Sequence, residues 1–352
     1  MTRKKIIQMV LGFVLVLVLG VGTMMRTPSV KNPSTGGETM GTGYSIKISG
    51  KLKDTQLKEI STQVNLALVD LNQQMSTWDP TSEISRFNHS QTLEPFPCSE
   101  EFARVVESAL ELSRNTQGAF DPTLQPLLNL WGFGSEAEAS GIPDDQAIAV
   151  IQEIIGWEKI KVETASTLRK TEPDVSLALG AIAKGYGVDM VGHILERAGL
   201  ENWFVEIGGE VVVRGLNPDG VPWKIALLFP SMNPLDLRLQ GIVHLTNGAI
   251  ATSGDYRNYI EEEGVVYSHI LDPRTGKAVR SATASVTVYA PNCMLADGTA
   301  TALFVMGPEE GLAWVERTEQ VEALFLIRTD AGEIIEKFSS GFEESTGYTP
   351  YL

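Results

Sequence analysis

The chain has only two cysteines, Cys98 and Cys293, in 352 residues. Two thiols exclude a disulfide framework and any zinc set built on cysteine; one bridge and two unpaired core thiols both stay open. Histidine is scarce too. The four (His89, His193, His244 and His269) show no metal-ligand spacing. No G-x-S-x-G, H-E-x-x-H, G-x-G-x-x-G or G-x-x-x-x-G-K-S/T occurs, so a hydrolase triad, a zinc peptidase, a Rossmann site and a Walker loop are all unsupported. Positive charge is in deficit: 28 Lys and Arg stand against 44 Asp and Glu, a net charge of -16. Phosphate backbones need a basic surface, which argues against a nucleic-acid partner. A phosphorylated small molecule is still admissible if a metal or local cations neutralise it. Internal repeats and low-complexity blocks are absent.

What is present begins with a membrane signal. Thr2-Arg3-Lys4-Lys5 is basic, and residues 6–25 are apolar and uncharged, interrupted by little more than Gln8 and Thr23. A run of about 20 residues is long enough to cross a bilayer. The preceding cations hold that end in the cytoplasm. Neither an A-x-A cleavage site nor a lipidation cysteine follows. The pattern predicts an uncleaved signal anchor in the cytoplasmic membrane, with a cleaved signal peptide as the alternative; either way the body lies on the outer face. Residues 26–38, rich in Pro, Ser, Gly and Lys, read as a linker, and residues 39–352 as the globular region.

Within that region, Tyr44 to Ile48 alternates as a strand does. Asp54 to Met75 carries apolar residues at helical spacing. Further helices are expected over Ser99–Thr116, Asp145–Ile155, Ile182–Ala198 (closed by Gly199), Leu295–Val305 and Pro308–Arg317. Strands are expected over Trp203–Ile207, Val211–Val213, Trp223–Phe229, Gly241–Leu245, Val265–Ile270, Ala284–Ala290 and Ala323–Ile327. Helices and strands mix without a βαβ rhythm, which predicts an α+β fold with mixed or antiparallel sheets packed by helices.

Several residues stand out chemically. Asp297 and Thr301 lie four apart and share a helical face. A carboxylate plus a hydroxyl is hard-oxygen ligation of the kind Mg²⁺ accepts, although such a pair is more often a helix start or a solvated face. Gly180-Ala181-Ile182-Ala183-Lys184-Gly185-Tyr186 opens a helix, where free N–H groups and a lysine attract anions; the plainer reading is a tight helix entry. Gly208-Gly209 between two strands allows a close backbone approach or a bulge. Asp121 and Asp272 each precede proline, and His269 sits at a strand end. Each of these three has a structural reading: a turn cap for the acids, a fold contact for the histidine.

Together these pieces resemble the FAD:protein FMN transferase (ApbE) family. The resemblance rests on Thr39-Met40-Gly41-Thr42, Met75 to Pro80, Ser85 to Asn88, Gly118 to Pro122 and Asn129 to Gly134. It continues through Ile182 to Tyr186, Glu206 to Gly209, Ala251 to Tyr256, His269 to Gly276, Asp297 to Thr301 and Leu303 to Gly307. These motifs follow the family's order and span almost everything after the linker. The resemblance implies Mg²⁺-dependent transfer of FMN from FAD to a threonine hydroxyl of a target flavoprotein, with release of AMP. The expected acceptor is a subunit of membrane electron transport. By position, Met40, Trp78, Ala119, Phe120, Asp121, Lys184, Ile270 and Leu271 correspond to FAD contacts. Ala181 (through its carbonyl), Asp297 and Thr301 correspond to the metal site, and Asp297, Thr301 and Lys184 are the residues expected to drive catalysis.

Two departures matter. Members usually carry aspartate where Ala178 stands, and the family's D-A-x-A-T appears as Asp297-Gly298-Thr299-Ala300-Thr301. The first keeps two alternatives alive: an FAD pyrophosphatase giving FMN and AMP, and an FAD-binding protein without turnover.

Overall fold

The computed structural model describes residues 29–137, 141–233 and 235–351. Its spine is one sheet of eight strands: β1 (Ser34–Thr39), β2 (Thr42–Ile48), β3 (Trp203–Ile207), β4 (Glu210–Arg214), β5 (Asn247–Gly254), β6 (Thr283–Ala290), β7 (Glu322–Arg328) and β8 (Ile334–Phe338). They lie side by side in chain order, and every neighbouring pair is antiparallel. Most of the helices and smaller strands are insertions between consecutive strands; Ser29–Lys31 precedes β1, and the helix Phe342–Thr346 and strand Thr349–Pro350 follow β8. The expected α+β architecture is present, with antiparallel pairing throughout the described strands.

Side-chain alternation divides the two faces of the sheet. Val205, Ile207 and Val212 face the main core, which helices Asp54–Met75, Ala183–Arg197 and Cys293–Val315 complete. Their strand neighbours Phe204, Val211 and Val213 face the opposite side. There they meet Trp223, Ile225, Val243, Leu245, Phe342 and Tyr348 from a three-stranded sheet and a short helix. Burial on both faces places apolar residues on both sides of the central strands, and β6 is almost entirely buried.

The helix over Asp54–Met75 has the expected bounds. Cys293–Val315 comprises the two helices expected over 295–317, broken at Gly307, whose backbone is non-helical (φ 76°, ψ 176°), just before Pro308. Cys98 and Cys293 are both free thiols. The linker reading of residues 26–38 needs correction at its C-terminal part. Ser29–Lys31 pairs with Lys51–Lys53, and Ser34–Thr39 is the edge strand β1. Gly36 and Gly37, which suggested a flexible tether, are required there by packing. A Cβ on Gly36 would stand 2.5 Å from the Tyr44 carbonyl oxygen, and one on Gly37 2.8 Å from the Tyr44 ring. The expected membrane anchor over 6–25 falls outside the described residues. Among those described, no helix is long and apolar enough to cross a membrane.

Candidate active site

Two helices meet at the site. Helix Ala183–Arg197 has no side-chain N-cap of its own. Its Gly185 N–H donates instead to Asp297 Oδ2, at 2.9 Å, on helix Cys293–Val315. In return, Asp189 on the first helix accepts the N–H groups of Cys293 and Met294, both at 2.8 Å. Each helix thus supplies an anion to the other's unsatisfied N-terminal donors. The approach is close enough to demand glycine: a Cβ at position 185 would collide with the Cys293 carbonyl oxygen and stand 2.8 Å from Asp297 Cβ. Burial raises the Asp189 pKa to about 6, against the pull of its two donors.

Lys184 projects from the same helix start. Its Nζ lies 2.7 Å from Glu210 Oε1 and 3.6 Å from Asp297 Oδ1. Burial opposes the ammonium, but Asp297 and Glu210 outweigh that cost and hold its pKa above the ordinary lysine value. The Glu210 carboxyl is pushed up by burial and by the Asp297 charge, which Lys184 only partly offsets. Glu210 is 3% exposed, and its Oε2 has no hydrogen-bond partner. The Gly208-Gly209 turn before it has positive φ at both residues (64° and 109°), conformations natural to glycine. This turn aims Glu210 back at the helix.

Thr301, one turn beyond Asp297, hydrogen-bonds through its hydroxyl to Ser253 Oγ on β5, at 3.1 Å. Ile182, next to Ala181, packs against position 298, so the loop bearing Ala181 lies on the helix that carries Asp297 and Thr301. Among the described residues no cluster of three His, Cys, Asp or Glu is placed to hold a metal. A cation here must rely on the hydroxyl and carbonyl donors as well. The set does fit one. Two buried carboxylates face a single ammonium, and one carboxylate oxygen is unpartnered. The donors (Asp297, Thr301, the Ala181 carbonyl) are the hard oxygens a small divalent ion takes.

The other expected residues divide. Met40, at the tip of the β1–β2 turn, reaches the first helix, with its Cε 3.2 Å from the Cβ position of Gly187. Ala119, Phe120 and Asp121 are buried beside the 178–182 loop, where the Ala178 N–H donates to the Pro122 carbonyl at 2.7 Å. The Asp121 carboxylate is occupied by three donors, the N–H and hydroxyl of Thr123 and the N–H of Trp157. It caps the turn that carries Thr123 and holds the Trp157 backbone. Ile270 and Leu271 are likewise buried, Ile270 in the main core and Leu271 in a separate cluster with Trp131 and Ile148. Trp78 stands 72% exposed beyond the end of helix Asp54–Met75.

His269 and Asp272 could not be ranked by sequence; geometry separates them. Asp272 is paired with Arg274 through both carboxylate oxygens. His269 Nδ1 lies 2.9 Å from the Asn258 carbonyl, which only accepts, so Nδ1 carries the proton and Nε2 is the free basic atom. Burial, with Lys184 and Arg257 nearby, holds the His269 pKa below the ordinary value. Ser253, Glu210 and Arg257 were missed as site residues. Arg257 donates to the Gly208 carbonyl at 2.9 Å. Ser253 lies within Ala251–Tyr256, and Glu210 and Arg257 directly follow Glu206–Gly209 and Ala251–Tyr256, but no spacing rule links those segments to Asp297.

Two buried carboxylates around one lysine, with the Thr301 hydroxyl beside them, make this the chemically distinctive cluster of the fold. The chain belongs to the ApbE family, whose model matches residues 40–325. Among its relatives, the FAD:protein FMN transferase of Vibrio cholerae is 44% identical over 318 residues, covering 90% of this chain and 91% of that protein. The FAD:protein FMN transferase of Escherichia coli K12 is 37% identical, over 80% of each. The crystal structure of the Pseudomonas stutzeri flavinyl transferase ApbE in its apo form superposes with a TM-score of 0.81 at 35% identity, covering 92% of this chain and 99% of that one.

Proposed function

We propose that this protein transfers the FMN half of FAD to a threonine hydroxyl of a target flavoprotein, with Mg²⁺. The observation that carries the reading is the junction of Lys184, Asp297 and Thr301 at two crossed helix starts, in a chain whose relatives bear the name FAD:protein FMN transferase. Asp297, Thr301 and the Ala181 carbonyl would hold the ion, which when bound neutralises charge on the diphosphate oxygens and the departing phosphate. Lys184 shares that load from the helix start. Its pKa, held high, keeps it charged across the working range. The Ala119–Asp121 backbone, Met40 and the Ile270–Leu271 strand end form the walls against which the nucleotide is oriented.

The acceptor threonine oxygen forms a bond to the phosphorus of the FMN half. The P–O bond to the AMP phosphate breaks, and AMP leaves with the electron pair. His269 Nε2 receives the hydroxyl proton; its tautomer and depressed pKa keep it neutral and basic near pH 7. Position 178, where the family resemblance implies aspartate, is alanine. This supports His269 rather than a carboxylate as the base.

The basic Thr2–Lys5 segment and the apolar run at 6–25 support anchorage in the cytoplasmic membrane. The catalytic body then lies on the outer face, near a membrane electron-transport acceptor. The test is incubation of the purified protein with FAD, MgCl₂ and a candidate acceptor flavoprotein, read by mass spectrometry. The expected result is acceptor carrying one phosphoester-linked FMN per AMP released. Free FMN and AMP with unlabelled acceptor would instead establish a pyrophosphatase, and intact FAD would overturn both.

A further inference from the structure

Glu210 has no part in the reaction as written, yet it is the most deeply placed charge at the site. It opens β4 directly after the Gly208-Gly209 turn, and its Oε1 takes the nearer of the two contacts made by Lys184. The ammonium sits 2.7 Å from Glu210 and 3.6 Å from Asp297, so it is committed to the first and only near the second. That difference matters because a lysine ammonium and a divalent cation compete for the same carboxylate oxygens.

We propose that Glu210 is a positioning residue that keeps Asp297 open to the metal ion by holding the Lys184 ammonium on its own carboxylate. The inference rests on the magnesium reading above. Without the Glu210 charge, Asp297 is the remaining anion within the reach Lys184 already has. The ammonium then closes onto Oδ1 and occupies the oxygen the cation needs. Gly185 already takes Oδ2, so Asp297 has no spare oxygen to offer. In the intact site the same arrangement leaves Lys184 beside the metal ligands rather than on them, where a diphosphate spanning both positive charges can be gripped. Glu210 Oε2, which has no partner, is the free acceptor that lets the ammonium shift toward substrate without leaving the carboxylate.

The test is Mg²⁺ affinity in the absence of FAD, measured by isothermal titration on the purified protein with MgCl₂ as titrant. The set is wild type, Glu210→Gln, Lys184→Met and the double variant. Glu210→Gln is expected to weaken Mg²⁺ binding by about tenfold, and Lys184→Met in that background to restore it, a non-additive cycle. In the wild-type background Lys184→Met raises affinity by a smaller factor than in the Glu210→Gln background, because Glu210 already draws the ammonium off Asp297. If Lys184→Met changes affinity by the same factor in both backgrounds, Glu210 acts through its charge alone and the proposal is wrong. Unchanged affinity in Glu210→Gln overturns it equally. Should Glu210→Gln fail to fold, Glu210→Leu carries the same test, since it too removes the carboxylate that holds Lys184. Absence of Mg²⁺ binding by wild type removes the magnesium site itself and this proposal with it. Binding by wild type without coupling removes the proposal alone.

Discussion

Asp189 and Asp297 cap each other's helices: Asp297 receives the Gly185 N–H at the start of the helix bearing Asp189, and Asp189 receives the N–H groups of Cys293 and Met294 at the start of the helix bearing Asp297. The lysine and the candidate metal ligands are therefore set in register by the same bonds that close both helices. Loss of one cap loosens the chemistry along with the fold.

The Asp189 cap has a measurable pH signature. Its folded pKa of about 6 lies above the ordinary 3.8, because burial outweighs its donors. Between those values the native state binds more protons than the unfolded chain, so the cost of the buried charge is present above pH 6 and is relieved as pH falls. The stability gap between wild type and Asp189→Asn should move in favour of wild type by about 1 kcal/mol between pH 7 and pH 5. Urea denaturation at the two pH values measures it, and a constant gap contradicts the assignment. Asp189→Ala, which leaves the donors uncapped, should cost about 1–2 kcal/mol at pH 7.

Gly185→Ala places a methyl group against the Cys293 carbonyl and Asp297 Cβ. Backbone and a short rigid side chain have little room to yield, so overpacking should cost roughly 1–3 kcal/mol. The Gly185–Asp297 hydrogen bond is strained at the same time. Thermal unfolding together with FMN transfer checks this: transfer should drop more steeply than stability alone explains.

Gly298→Ala behaves differently. Alanine gains about 1 kcal/mol of helix propensity over glycine. Its Cβ would meet Leu112 Cδ2 at 2.7 Å and Ile182 Cδ1 at 3.4 Å. Leu112 Cδ2 is the end of a side chain that can turn aside, so the two effects nearly cancel. Urea denaturation should find a change under about 1 kcal/mol in either direction. The departure from the family's alanine at this position is thus absorbed by packing.

His269→Gln should slow AMP release at pH 7 by roughly a hundredfold or more. In the wild type, protonation of Nε2 imposes an acid limb on the pH–rate profile. The limb falls below the ordinary histidine value, because burial depresses the pKa. The variant should lose that limb. A profile of unchanged shape would mean that another group takes the proton.

Much of this fold was legible in the sequence because the amphipathic helices and the two-faced central strands carry strong periodicity. Asp54–Met75 and Trp203–Ile207 are examples. β1 was not, since its exposed polar face and its glycines fitted onto Tyr44 mimic a linker. β5 was missed for the opposite reason: Ala249, Ala251 and Ser253 are small where helix Cys293–Val315 packs on the sheet, which removes the alternation. At the site, Asp297, Thr301 and Lys184 were visible as local spacing and as a family pattern. Glu210 and Ser253 reach the cluster only through strand order, a relation no local window contains.

The central claim is that Asp297 anchors the cation on which phosphoryl transfer depends. Its most direct test is the rate of Mg²⁺-dependent FMN labelling of an acceptor flavoprotein by Asp297→Ala against wild type, each shown to be folded. A loss of about three orders of magnitude or more, not recovered by raising MgCl₂, is the predicted result. Labelling by the variant at the wild-type rate, with unchanged Mg²⁺ dependence, would contradict it.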